Sequence, residues 1–190
     1  MTPRHRLTLK DYSEIGLKRS PKYVHSVCSP QRQLDIINHS KALSWNPTFV
    51  YEPLPDSMLP ENIETFIELL TKYSDNIIFS PNHTEASTLL GLNEPNNQIE
   101  VQKLTRNLHE KFSIKSLVLR CGKIGSYISV PSSGVTFWVD ALHSKSQNIV
   151  KDVTGAGNAF LGGLIGGLEI HNGDICKGKW KWFCLKYFIY

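Results

Sequence analysis

Short apolar runs alternate with longer segments of helical periodicity over most of this chain. The short runs are rich in β-branched and aromatic side chains, and each is followed within two positions by a proline or a charged residue. They lie at residues 23–28, 48–51, 76–79 and 116–119. The segments between them place apolar side chains at helical spacing, at residues 31–43, 61–73, 84–90 and 98–112. This pattern predicts strands that alternate with helices.

The pattern changes near residue 122, after which strands follow one another directly. Residues 126–130 and 135–139 are β-type runs joined by a turn at residues 131–134. Strands that alternate with helices and are apolar on both faces are typical of a largely parallel sheet covered by helices. The predicted class is therefore α/β.

The two ends of the chain differ from this central region. Residues 1–22 are polar, basic and aperiodic, and we interpret them as an N-terminal tail before a domain at 23–170. Residues 171–190 form an atypical C-terminal tail in which lysines interleave with aromatics. Such a tail stacks on single-stranded bases or lies at a membrane surface in some proteins, but packing of a chain end on the core is the favoured interpretation.

Composition excludes several classes of protein. With 41% apolar and 20% charged residues, the chain is neither collagen-like nor disordered, and a net charge of +4 does not require a nucleic-acid partner. The four cysteines contain no C-x-x-C pair, so reduced thiols and a cytoplasmic location are expected. No export signal is expected, and the most apolar window, residues 159–168, is too short to span a bilayer.

Glycine is concentrated between Gly155 and Gly167, where a short strand leads into an apolar helix. Two glycines in such a turn let backbone amides converge on an anion at the positive end of the helix, which predicts a phosphate site. The alternative is an ordinary strand–helix turn with Thr154 as the N-cap. The later glycines are interpreted as packing residues, at Gly162, Gly163, Gly166 and Gly167.

Three motifs in order resemble a known family. Residues 152–160 read D-V-T-G-A-G-N-A-F, residues 81–85 read P-N-H-T-E, and residues 122–125 read G-K-I-G. They resemble the D-T-T-G-A-G-D-x-F, P-N-x-x-E and G-x-x-G motifs of the PfkB (ribokinase-like) carbohydrate kinases. On general similarity, without a decisive motif, the chain also resembles the fungal maintenance-of-killer members of that family.

The resemblance implies a ribokinase-like three-layer α/β/α fold, truncated at both ends, that transfers a phosphoryl group from ATP to a sugar or nucleoside hydroxyl. The amides of Gly155, Ala156 and Gly157 are then the anion hole. The implied nucleotide-side residues are Asn82, Glu85, Gly122, Gly125, Asp152 and Thr154. Mg²⁺ is implied to be held indirectly through Glu85, and a monovalent cation, K⁺, near Asp152.

Two departures from the family pattern predict a weak or inactive kinase. Asn158 stands where the family has its catalytic aspartate, and an amide cannot accept the substrate proton; loss of a general base costs about 10²- to 10⁴-fold in rate. Asp152 is a poor substitute. The family's lid and N-terminal glycine-rich signature also have no counterpart before Tyr23, so the sugar side is expected to be largely missing from this stretch.

Two alternatives remain open. In one, the scaffold is kept as a non-catalytic interaction or stability factor with a protein partner, and nucleotide binding is dispensable. Without the family, Asn82 and Glu85 are explained equally well as a helix start, with Thr84 as the cap and Glu85 in the first turn. His83 is then expected to be an exposed loop residue.

Overall fold

A computed structural model describes residues 8–16, 19–141 and 155–177, in which six strands form one sheet in chain order. The strands are β1 (Tyr23–Cys28), β2 (Thr48–Pro53), β3 (Ile77–Phe79), β4 (Ser116–Arg120), β5 (Ser126–Val130) and β6 (Val135–Val139). β1 to β4 are parallel, whereas β5 and β6 are antiparallel to their neighbours. The predicted α/β class is confirmed, including the change from helical crossovers to direct strand connections.

Of the helices described, four lie in the crossovers between the parallel strands, one precedes β1 and one follows β6. They are α1 (Leu9–Glu14), α2 (Pro30–Ala42), α3 (Ile63–Lys72), α4 (His83–Leu89), α5 (Gln98–Lys111) and α6 (Ala156–Ile170). Ser29 caps α2 by accepting the N–H of Arg32 at 3.3 Å, and Pro30 follows at the first helical position, where its missing N–H has no cost. Among the described residues, no helix has the length and apolar character needed to cross a membrane.

The sheet is covered on both faces, which gives three layers. In β2, Phe49 and Tyr51 point into a core with side chains of α2 to α5, whereas Val50 points to the other face. That second core contains Leu161 and Leu164 of α6. Alternate residues of one strand thus serve two cores, as expected for a buried parallel sheet. α6 is the described helix that lies over the face to which Val50 points.

The ends of the chain contain structure that the sequence patterns did not predict. Residues 1–22 were expected to be aperiodic, but α1 forms there, with Thr8 and Asp11 as a reciprocal capping box and Leu9 buried. Ile175, in the expected C-terminal tail, is buried in the α6-side core. The domain boundaries at residues 22 and 170 stay predictions.

The glycines of α6 are not all packing residues. Gly163 and Gly167 are buried, in agreement with that interpretation. Gly162 is exposed, and a Cβ built on it meets no atom within 4 Å, so the interpretation is wrong for Gly162.

Candidate functional site

The start of α6 leaves its first backbone donors without a partner in the helix. Gly155 precedes the helix in the left-handed conformation, at φ +79°, and a Cβ built on it meets nothing within 4 Å. The first intrahelical bond runs from the Ala159 N–H to the Gly155 carbonyl at 2.9 Å, so the amides of Ala156, Gly157 and Asn158 have no partner within the helix. Among the described residues, no side chain caps this end. An uncapped helix start with converging amides favours an anion.

A cluster of charged side chains lies directly beside this helix start. Arg120, the last residue of β4, places Nη1 2.9 Å from Oε1 of Glu52 in β2. Its Nη2 donates to the Ser80 carbonyl oxygen at 3.1 Å and lies 3.8 Å from Oε2 of Glu85. His25 of β1 completes the cluster, with Nε2 3.2 Å from Oε2 of Glu52. Parallel strands bring these residues together because their carboxyl ends meet at one edge of the sheet.

Gly157 belongs to the site because its position leaves no room for a side chain beside Arg120. A Cβ built on Gly157 would lie 2.4 Å from Nη1 of Arg120 and 3.6 Å from Oε1 of Glu52. Only glycine lets the helix start approach the guanidinium this closely. The second motif glycine therefore joins the helix start to the charged cluster.

Asn82 and Glu85 form a reciprocal capping box at the start of α4. Oδ1 of Asn82 accepts the Glu85 N–H at 2.7 Å, and Oε2 of Glu85 accepts the Asn82 N–H at 2.8 Å. The expectation that Thr84 is the cap is wrong: α4 begins at His83, and Thr84 instead donates to Oε1 of Glu94 at 2.8 Å. Asn82 and Glu85 thus form the start of α4.

His83 is not the exposed loop residue that was expected. It is the first residue of α4, its side chain is only 17% exposed, and Nε2 lies 3.1 Å from Oε1 of Glu94. The contact ties the loop after α4 to the start of that helix. His83 thus supports the position of Asn82 and Glu85 from outside the charged cluster.

The two carboxylates of the cluster have opposite pKa shifts. Burial raises the pKa of Glu85 and outweighs the Asn82 N–H and the charge of Arg120, which lower it. At Glu52 burial also raises the pKa, but the His25 hydrogen bond and the Arg120 charge outweigh it, and the net pKa is lowered. Arg120 also lies closer to Glu52, at 2.9 Å, than to Glu85, at 3.8 Å.

The G-x-x-G turn follows Arg120 and has one open and one crowded glycine. Gly122, at φ +52°, has no atom within 4 Å of a built Cβ. Gly125, at φ +107°, would place a Cβ 2.3 Å from the carbonyl oxygen of Val139. A cleft of about 510 Å³ adjoins this turn and is lined in part by Lys123 and Asp140.

The structure brings most of the expected site residues to one edge of the sheet. Asn82, Glu85 and Gly157 meet around Arg120, and Asn158 is exposed at the start of α6. Asp152 and Thr154 lie outside the described residues. The described parts of the chain contain no group of three or more His, Cys, Asp or Glu side chains that could hold a metal ion.

Sequence reasoning missed His25, Glu52 and Arg120. A signal for two of them is present in the sequence. Glu52 and Arg120 each follow an apolar strand run directly, and a charge at the carboxyl end of a buried parallel strand points to the edge where sites form.

Comparison with known proteins relates the chain to sugar kinases. The profile of the family described as "pfkB family carbohydrate kinase" matches residues 52–174. Protein MAK32 of Saccharomyces cerevisiae is 33% identical over 178 residues, which cover 86% of this chain and 49% of that protein. The chain spans about half the length of the curated relatives it matches. The resemblance inferred from the three motifs is thereby confirmed.

Solved structures of sugar kinases share the fold. Arabidopsis thaliana ribokinase, complexed with ribose and ATP, has a TM-score of 0.58 and 17% identity, covering 91% of this chain and 49% of that one. Vibrio cholerae fructokinase, in a form with fructose, ADP and calcium bound, has a TM-score of 0.60 and 18% identity, covering 88% and 53%. The fold is therefore ribokinase-like.

Proposed function

Because the chain belongs to the pfkB family of carbohydrate kinases, we propose that it binds the phosphates of ATP and transfers phosphoryl groups weakly or not at all. The acceptor would be a sugar or nucleoside hydroxyl. The observation that carries the proposal is the start of α6, where the amides of Ala156, Gly157 and Asn158 have no partner within the helix and no capping side chain among the described residues. The cytoplasm is the proposed location, because the buried cysteines Cys28 and Cys121 are free thiols.

Geometry and charge both support a phosphate at the start of α6. The left-handed Gly155 turns the chain so that successive amides point the same way, and the 15-residue α6 adds the positive end of its dipole. Gly122 leaves open space beside the neighbouring turn. The relatives that carry ATP or ADP in their structures support a nucleotide as the phosphate source.

A protein-bound Mg²⁺ fits this site poorly. Oε2 of Glu85, the expected metal-linked oxygen, already accepts the Asn82 N–H and faces the Arg120 guanidinium at 3.8 Å. A positive charge at that distance opposes a second cation. The proposed function therefore includes no step through Mg²⁺, and K⁺ near Asp152 stays a prediction.

Asn158 carries the proposal of weak or absent transfer. Its side chain is exposed in the first turn of α6, at the position where the family pattern has an aspartate. An amide is similar in size to a carboxylate but does not take up the proton released by an attacking hydroxyl. Phosphate binding by backbone amides does not need that carboxylate, so binding persists when transfer is slow.

Binding and transfer are tested separately. We expect ATP to raise the melting temperature, because a ligand at 100 times its Kd stabilises the folded state by about 2.7 kcal/mol. A coupled assay of sugar-dependent ADP release should show little activity, and Asn158→Asp should raise it by about 10²- to 10⁴-fold where the sugar side is complete. The control Asn107→Asp makes the same change at an exposed position of α5.

Each result has a clear reading. Robust sugar-dependent turnover by the unmodified protein contradicts weak transfer. Absence of stabilisation at millimolar ATP contradicts nucleotide binding and favours the alternative, a non-catalytic interaction or stability factor. That alternative is supported by Asn158, which places an exposed amide at the base position.

A further inference from the structure

We propose that the Arg120 guanidinium is a resident cation that fills the position a divalent metal ion would otherwise take between Glu52, Glu85 and the Ser80 carbonyl. Arg120 would then be the residue that decides whether this domain binds a divalent metal ion at this position. Its side chain replaces a protein-bound metal.

The partners of Arg120 are the kind of ligand that a hard divalent cation prefers. One guanidinium is shared by a carboxylate oxygen of Glu52 at 2.9 Å, the Ser80 carbonyl oxygen at 3.1 Å and a carboxylate oxygen of Glu85 at 3.8 Å. Mg²⁺ and Mn²⁺ bind carboxylate and carbonyl oxygens of this type. The oxygens come from β2, the end of β3 and α4, so they converge from three separate elements on one cation.

Burial makes a counter-charge necessary at this place. The side chains of Arg120, Glu52 and Glu85 are 13%, 14% and 9% exposed. Two carboxylates that share a partly buried site repel each other unless a cation lies between them. With Arg120 present the three side chains sum to one negative charge, and without it the two carboxylates leave two.

The guanidinium also occupies the available space. Nη1 lies where it would contact any side chain at Gly157, and the buried Nε has no hydrogen-bond partner among the described residues. A metal ion could reach the three oxygens only by displacing Arg120. Removing the guanidinium should therefore open a cation site that the natural chain lacks.

The test measures Mn²⁺ binding by electron paramagnetic resonance, without nucleotide. The unmodified protein should show no bound Mn²⁺ beyond that of the control Arg106→Met, which removes an exposed arginine of α5. Arg120→Met should bind one Mn²⁺ per chain, with an affinity at least tenfold higher than that of the unmodified protein for Mn²⁺. Glu52→Gln added to Arg120→Met should abolish the gained site.

Stability provides a second measurement. Millimolar Mn²⁺ should raise the melting temperature of Arg120→Met and leave that of the unmodified protein unchanged. If Arg120→Met does not fold in metal-free buffer, Mn²⁺ should restore its native circular dichroism, and failure to do so overturns the proposal.

Two further results would overturn it. One is a Mn²⁺ site in the unmodified protein that Glu85→Gln removes. The other is a folded Arg120→Met variant that binds no more Mn²⁺ than the control. Because no measurement contains nucleotide, the outcome is independent of whether the domain binds ATP.

Discussion

Replacing Gly157 by alanine should destabilise the protein through Arg120. The new Cβ would lie 2.4 Å from Nη1, whereas ordinary contact begins near 3.4 Å, so the guanidinium must retreat by about 1 Å. It is held by Glu52 at 2.9 Å and by the Ser80 carbonyl at 3.1 Å, and its retreat breaks at least the first of these contacts.

The magnitude follows from two opposing effects. Loss of a buried charge-assisted hydrogen bond costs about 1.5–3 kcal/mol. Alanine returns at most about 1 kcal/mol of helix propensity relative to glycine. Gly157→Ala should therefore lower the free energy of unfolding by about 0.5–3 kcal/mol, which is a fall of roughly 1–12 °C in melting temperature for a domain of this size.

Denaturant unfolding of five proteins checks this reasoning: the unmodified protein, Gly157→Ala, Gly162→Ala, Arg120→Met and the double variant Arg120→Met/Gly157→Ala. Gly162→Ala is the matched control, because Gly162 lies in the same helix with no atom within 4 Å of a built Cβ. It should be as stable as the unmodified protein or up to about 1 kcal/mol more stable. In an Arg120→Met background, Gly157→Ala should no longer destabilise.

Two outcomes would refute the argument. One is a Gly157→Ala variant as stable as Gly162→Ala, which would mean that the helix start moves away from Arg120 without loss of stability. The other is an equal loss of stability on Gly157→Ala with methionine at position 120, which would mean that the obstacle is something other than the guanidinium.

Two further predictions concern His109 and Asn82. Burial lowers the pKa of His109 more than a hydrogen bond with the Ile114 backbone raises it, so the folded state favours the neutral ring. The free energy of unfolding should therefore be highest above about pH 6.5 and fall as pH decreases through the lowered folded-state pKa. His109→Gln should flatten this pH dependence, which unfolding measured from about pH 7.5 to 5 would show. Asn82→Ala should cost about 1 kcal/mol through the lost α4 cap and also weaken the thermal shift by ATP. Asn97→Ala, which removes the α5 cap, should cost a similar amount and leave the ATP shift unchanged; equal ATP shifts in the two variants would contradict a link between the α4 cap and the site.

Strand positions could be predicted closely from the sequence because prolines, glycines and polar residues mark the strand ends. β1 ends before Ser29 and Pro30, and β5 and β6 flank a turn in which Gly134 adopts φ +65°. The bounds of β1, β5 and β6 agree with the predicted runs. Local breakers and apolar runs decide these elements, so neighbouring residues contain the information.

α1 shows where local patterns were insufficient. Its six residues contain one buried apolar side chain, Leu9, so no helical period is visible. The signal that was present is the reciprocal capping box of Thr8 and Asp11. A short polar helix is defined by its cap and its packing partner, and the partner is not known before the fold.

The charged cluster could not be assembled from motifs because its members are far apart in the chain. His25, Glu52 and Arg120 come from three strands, and only the parallel order of those strands brings their side chains together. The glycine motif indicated an anion site, but the cation beside it depends on tertiary contacts. The anion site thus stays a prediction from the glycine motif, whereas the charged cluster beside it could not be predicted from the motifs.

The crowding at Gly125 changes what the retention of a motif means. Because a side chain there would collide with the Val139 carbonyl, natural selection for folding alone suffices to keep that glycine. A lineage that had given up phosphoryl transfer would still discard Gly125 variants, since they would misfold. Gly122 has room for a side chain, but its backbone at φ +52° also favours glycine, so the persistence of either glycine among descendants would not by itself record whether the ligand is still in use.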